Sequence, residues 1–238
     1  MKGIIYYTDS RIEDLEHDRV LPTLVRKLIS DSGLPITSCS LKPLDFGTNI
    51  VLDEEPGVIT MYKQILTALQ NAKEKYIFFC EHDVLYHPSH FDFTPPRDDT
   101  FYYNTNAWKC HPRQDIAITY DHLISVSGIC VNREKAIEHY EKRIQYCYDK
   151  GFDKLPSRNP KWARVMGYQP GKKVRIGGFL EEPIEEWKSE FPNVDIRHYR
   201  TMTAAKLHLE QFAHKPTGWV STTVDKIPGW DIKKLFNI

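Results

Sequence analysis

Apolar positions in this chain fall either in short dense runs or in longer stretches where they recur every three or four residues, the alternation of strand and helix. Residues 3–7 (GIIYY) predict a first strand, closed by the polar turn Thr8-Asp9-Ser10. A helical stripe follows in Val20, Leu21, Leu24, Val25, Leu28 and Ile29, ended by Gly33. Pro22 suits the first turn of that helix, where its missing N–H costs little. Residues 36–41 (ITSCSL) predict a second strand and residues 42–56 a polar connection. Residues 57–72 then predict a helix with Ile59, Tyr62, Ile65, Leu66 and Leu69 on one face. The run Tyr76-Ile77-Phe78-Phe79-Cys80 is apolar at every position, as expected of a strand covered on both faces of an α/β sheet, and it stops abruptly at Glu81-His82-Asp83. A strand, a helix and a second strand in about forty residues form a βαβ unit, right-handed in nearly all cases. The order β-α-β-α-β predicts an α/β fold with a mainly parallel central sheet.

The second half is less regular. Residues 100–108 (TFYYNTNAW) alternate like a strand, residues 115–120 and 123–131 predict further strands, and Asn132 caps a predicted helix over residues 133–148. Its inner face holds Ala136, Ile137, Tyr140, Ile144 and Cys147. Pro183 predicts another helix start, with Ile184, Trp187 and Phe191 as the buried stripe and Glu181, Glu182, Glu185 and Glu186 favouring the positive end of its dipole. Residues 194–198 (VDIRH) predict a short strand, and Ala204, Leu207 and Phe212 a helix over residues 203–212. Trp219, Trp230, Leu235 and Phe236 give the remaining stretch apolar anchors that pack it back on the fold.

Composition narrows the class. Apolar residues make up 41% and charged residues 27% of 238, ordinary for a soluble globular protein. The 32 basic and 32 acidic residues cancel, so no whole-molecule field draws the chain to nucleic acid. Cys39, Cys80, Cys110, Cys130 and Cys147 are widely spaced with no CxxC pair, which points to a reducing cytoplasm rather than a disulfide framework. MKGIIYYTDSRIEDL turns polar too soon for a signal peptide, and no segment has the roughly 18 apolar residues a membrane span needs. Neither GxGxxG nor GxxxxGK[ST] follows the first strand, against a dinucleotide site or a P-loop.

The candidate chemistry sits where the central run ends. Glu81 and Asp83, spaced i, i+2 on an extended segment, point the same way at the carboxyl end of a strand, where α/β sheets bind ligands. Two carboxylates aimed at one point call for a cation. Mg²⁺ and Mn²⁺ take such oxygen ligands together with substrate phosphates, which suggests a metal clamp on a nucleotide diphosphate. His82, His87 and His90 crowd the same loop, but their spacing matches no common zinc site; His87 stays a candidate substrate contact. Tyr102, Trp108 and Tyr120 are candidates to stack on a sugar or base, against the plainer role of core aromatics. Residues 154–175 hold seven Lys or Arg and no acid. That loop either binds a phosphorylated or polyanionic acceptor or is solvated, balancing the acids that follow it.

An apolar strand ending in acid-x-acid resembles the DxD motif of glycosyltransferases with the GT-A fold, with Glu81 in place of the first Asp. The continuation DVLYHPSHF resembles the segment after that motif in small family-2-like glycosyltransferases of bacteria and phages. The resemblance covers the first 135 residues best. It implies a single GT-A-like (Rossmann-like) α/β/α domain over residues 1–238, with a nucleotide-sugar and metal half (1–135) and an acceptor-side half (136–238). The implied reaction moves a sugar from a nucleotide-diphosphate sugar, foremost a UDP-sugar, to a hydroxyl of a glycan, a small molecule or a modified nucleic acid. Mn²⁺ or Mg²⁺ would be held by Glu81 and Asp83, with His198 as a further ligand and His214 as its competitor. Tyr7, Thr8 and Asp9 would contact the nucleotide, unless they only form an Asx-type turn; Thr60, Lys63 and His82 join them as donor-binding candidates. Glu181 or Glu182 would act as catalytic base, although the family pattern usually ends in Asp. Two other readings stay open. A sugar nucleotidyltransferase would want a glycine-rich basic loop where TDSRIEDL stands, and a non-catalytic carbohydrate- or nucleic-acid-binding module would use residues 154–175 as its contact surface.

Overall fold

The computed structural model describes residues 1–11, 20–171, 179, 181–201, 203 and 205–238. The first half contains β1 (Lys2–Thr8), α1 (Val20–Ser30), β2 (Ile36–Ser40), β3 (Thr48–Val51), α2 (Val58–Asn71), β4 (Tyr76–Glu81), β5 (Val84–Leu85), β6 (Phe101–Asn104), β7 (Ala107–His111) and β8 (Ile116–Thr119). After these come β9 (Ile129–Asn132), α3 (Arg133–Asp149), β10 (Ile184–Trp187), β11 (Asn193–Ile196), β12 (Val220–Thr222) and α4 (Ile232–Phe236). The central sheet runs β10-β6-β9-β4-β1-β2-β3. Four of its pairings are parallel, and only β9 runs against both of its neighbours. The fold is therefore the α/β class with a mainly parallel central sheet that the pattern predicts. A second sheet, β12-β8-β7-β11-β5, packs beside it.

The dense apolar runs are explained by burial on both faces. Ile5 and Tyr7 of β1, with Ile77 and Phe79 of β4, face Tyr62, Ile65 and Leu69 of α2 and Tyr140 of α3. Ile4, Tyr6, Phe78 and Cys80 point the other way, toward Leu21, Val25 and Ile29 of α1 and toward Cys110, Ala117, Val194 and Ile196 of the second sheet. Because the side-chain period of a strand is two, a strand with a core on each side has no polar position to spare. All five cysteines are free and buried. Among the described residues no helix is long and apolar enough to cross a membrane.

Five local expectations are corrected. Residues 42–56 are not all connection: β3 forms there as a parallel edge beside β2, exposed at both ends, so its sequence carries little apolar signal. The strand expected over residues 100–108 breaks after Asn104, whose Oδ1 accepts from Asn106 N (3.0 Å) and Ser189 N (3.2 Å), and the two pieces join different sheets. Of residues 123–131 only the end is strand; a 3₁₀ turn occupies Val126–Gly128. The helix expected after Pro183 is instead β10, paired in parallel with β6 from Ile184↔Phe101 to Trp187↔Asn104. The open edge of β6 offers these residues a ladder, and Trp187 stacks on Phe93 with centroids 4.4 Å apart. Over residues 203–212, the described residues form only a 3₁₀ turn at Leu209–Gln211, where Gln211 Oε1 accepts from Leu207 N and His208 N.

Candidate active site

Parallel pairing puts Tyr7 opposite Glu81, and the Tyr7 hydroxyl donates to Glu81 Oε1 at 2.6 Å. The α2 residue Gln64 ties the adjacent strand ends together, its Nε2 donating to the carbonyls of Thr8 (2.7 Å) and Cys39 (3.2 Å). Asp9 takes hydrogen bonds from Arg11 N and Nε. Burial opposes charge on Asp9, but His82 and Arg11 outweigh it and hold the carboxyl below the usual range.

After β4 the chain turns at His82-Asp83 into β5, which pairs antiparallel with β11; Ile196 N donates to the Asp83 carbonyl at 2.8 Å. This pairing carries the segment after β11, more than a hundred residues away in sequence, to the end of β4. There Asp83 Oδ2 lies 3.3 Å from His198 Nε2, within ion-pair distance but outside hydrogen-bond geometry. His82, Asp83 and His198 each offer a ligand atom, all within 4.8 Å of one another. The ring nitrogens His82 Nδ1 and His198 Nε2 are buried without a hydrogen-bond partner. An orphaned buried nitrogen is costly, and two of them beside a carboxylate fit a divalent cation.

Glu81 stands apart from that group. Desolvation and the neighbouring Asp83 charge push its carboxyl up, whereas His82, His198 and Arg197 overcome the burial of Asp83 and push it down. Two acids with identical spacing rules thus shift in opposite directions, because desolvation and the Asp83 charge prevail at Glu81 over the hydrogen bond from Tyr7, whereas the imidazoles and Arg197 prevail at Asp83.

Tyr7, Thr8, Asp9, Glu81, His82 and Asp83 line one wall of a cleft of about 410 Å³. Asp195, Arg197, Arg200 and Lys206 line the same cleft, none of them singled out by the sequence. The only local signal was the position of Asp195, Arg197 and Arg200 around His198 in DIRHYR. Arg197 Nη1 donates to both oxygens of Asp195 (3.1 and 3.0 Å), and its Nη2 donates to the Thr203 carbonyl at 2.7 Å. Tyr120 also lines the cleft, whereas Tyr102 is buried and Trp108 packs against the core between the sheets.

Other expected site residues lie elsewhere. Lys63 is paired with Glu54 at 2.5 Å, and Thr60 Oγ1 donates to the Glu55 carbonyl at 2.6 Å. Glu181 is exposed, and the Glu182 carboxylate is bound by Lys135 Nζ (2.7 Å) and His139 Nδ1 on α3. Burial opposes charge on Glu182, but His139 and Lys135 keep its carboxyl below the usual range. Neither acid borders the cleft. His87 packs on Phe191, His214 is exposed, and neither joins the His82–Asp83–His198 group.

No protein-family model matches the chain, and no curated protein matches it. Among solved structures it is similar to a glycosyltransferase involved in the glycosylation of the major capsid of PBCV-1, with TM-score 0.44 and 14% identity over 79% of this chain and 81% of that one. It is also similar to a nucleotidyl transferase from Methanothermobacter, with TM-score 0.40 and 9% identity over 63% of this chain and 83% of that one. A third similarity, with TM-score 0.34 and 15% identity over 63% of this chain and 62% of that one, is to a variant of Drosophila β1,4-galactosyltransferase 7 in complex with manganese, UDP-Gal and xylobiose. These structural neighbours are thus two glycosyltransferases and a nucleotidyltransferase, all at low identity.

Proposed function

We propose that this protein is a metal-dependent glycosyltransferase that moves a sugar from a nucleotide-diphosphate sugar, foremost a UDP-sugar, to an acceptor hydroxyl. The observation that carries the reading is the convergence of Asp83 with His82 and His198, whose Nδ1 and Nε2 respectively are buried without a hydrogen-bond partner, beside the carboxyl ends of β1 and β4. In this reading residues 1–238 act as one domain, and the five buried thiols suit a reducing cytoplasm.

Mn²⁺ or Mg²⁺ bound by His82, Asp83 and His198 would supply positive charge to the departing diphosphate. Tyr7, Thr8 and Asp9 receive the nucleotide at the strand ends, and Glu81 orients Tyr7 through their hydrogen bond. Arg200 and Lys206 add fixed positive charge to the cleft. Glu182 does not border the cleft, which leaves Asp9 and Asp195 as further carboxylates there. Asp195, which lines the cleft together with the nucleotide strand ends, is the one assigned to take the acceptor proton.

The test is thermal stability with UDP and Mn²⁺, followed by a screen of sugar nucleotides for slow donor hydrolysis, which needs no knowledge of the acceptor. Stabilisation that requires both UDP and Mn²⁺, and that Asp83→Ala abolishes, supports the reading. No response to any nucleotide, or an unchanged response in Asp83→Ala, overturns it.

A further inference from the structure

A second cavity, of about 590 Å³, adjoins the cleft and shares Arg158, Tyr168, Thr201 and Thr203 with it. His198 borders this cavity while its Nε2 faces Asp83, so the ring separates the candidate metal position from the second chamber. The chamber's chemistry is one-sided. No described residue lining it is acidic. Arg158 on its wall has no carboxylate partner among the described residues, and its guanidinium makes one long contact, 3.5 Å, to the Tyr199 carbonyl. His111, on the same wall, keeps Nδ1 buried without a partner. A phosphate monoester offers three acceptor oxygens, enough to meet a guanidinium, an imidazole N–H and a threonine hydroxyl together. The chamber also has room for a sugar-sized molecule.

We propose that this chamber is the acceptor subsite and that it takes an acceptor bearing a phosphate group, anchored by Arg158 and His111, with the reacting hydroxyl reaching the cleft past Thr201 and Thr203. The inference rests on the transferase reading of the cleft and adds the class of acceptor. It also gives a use to the basic stretch that contains Arg158.

The probe is inorganic phosphate, titrated by calorimetry into the protein saturated with UDP and Mg²⁺, so that the diphosphate of UDP already fills the main cleft. One phosphate site is expected, weakened about tenfold or more by Arg158→Ala, since hydrogen bonds to a charged group are worth about 1.5–3 kcal/mol. Lys142→Ala, an exposed change on α3, leaves it unaltered. Arg158 is exposed, so its replacement does not threaten folding. Phosphate that binds the free protein but is displaced by UDP and Mg²⁺ reads the diphosphate position and overturns the proposal, as does an unaltered affinity in Arg158→Ala. Failure of UDP to bind would sink the transferase reading instead. Phosphate titrated into the nucleotide-free protein would then still decide, through Arg158→Ala, whether the chamber is an anion site.

Discussion

Glu81 and Asp83 follow the same period-two rule, yet the structure gives them different surroundings. Glu81 accepts from Tyr7, and Asp83 faces His198. Glu81→Gln keeps an acceptor for Tyr7 and is expected to weaken Mn²⁺-dependent UDP binding by only about tenfold, the lower end for residues behind a metal ligand. Asp83→Asn, which removes a charged ligand, is expected to abolish it; Mn²⁺ titration of UDP binding checks both. Equal losses would restore the symmetric two-acid grip. A second residue-level expectation concerns pH. His90 is fully buried, and burial pushes its imidazole down to about 3 from an ordinary 6.5. Its Nδ1 accepts from the side-chain amides of Asn104 (3.0 Å) and Asn193 (3.1 Å), which fixes the neutral form. The unfolded chain therefore binds the extra proton first. Stability is complete above 6.5 and declines as pH falls from there toward 3. Urea midpoints should fall over that window, and His90→Gln should flatten the slope.

Among the elements, β10 shows how tertiary pairing overrides a local signal. A proline followed by acids predicts a helix start from composition alone, but the free edge of β6 binds the same residues as a strand. The segment is held down at Glu182, which meets Lys135 and His139; His139 Nε2 in turn accepts from Arg143 Nε at 2.8 Å, and Arg143 Nη1 donates to the Gly167 carbonyl at 2.7 Å. Arg143 is completely buried, and this chain supplies part of the compensation its charge needs. Glu182→Ala is expected to cost about 3 kcal/mol in urea unfolding and to leave donor hydrolysis per folded molecule unchanged. Loss of hydrolysis with stability intact would return Glu182 to the role of base. Asp195→Asn should show the reverse, with transfer lost and folding retained.

Over the whole molecule, balanced charge conceals local asymmetry: Arg158, Arg200 and Lys206, which have no carboxylate partner among the described residues, line the cleft, and Arg158 also lines the chamber beside it. Folding and ligand binding are linked there. At about 100 times its Kd, UDP with Mn²⁺ should stabilise the protein by about 2.7 kcal/mol, and EDTA should reverse the gain, as read by urea unfolding. The first helices, the parallel strands β1, β2 and β4 and the capped helix α3 were legible in the sequence, because each rests on local periodicity, a cap, or burial on both faces of a sheet. The edge strand β3, the break after Asn104 and the strand β10 were not, since each depends on a distant backbone offering hydrogen bonds. The same division runs through the candidate site. By itself the sequence determined that acids and histidines leave the sheet at residues 81–83, because an apolar run can end only where its cover ends. Only tertiary structure decided which of them meet: β11 pairs with β5 and β7 and sets His198 against Asp83, a contact between residues 115 positions apart that no local pattern encodes.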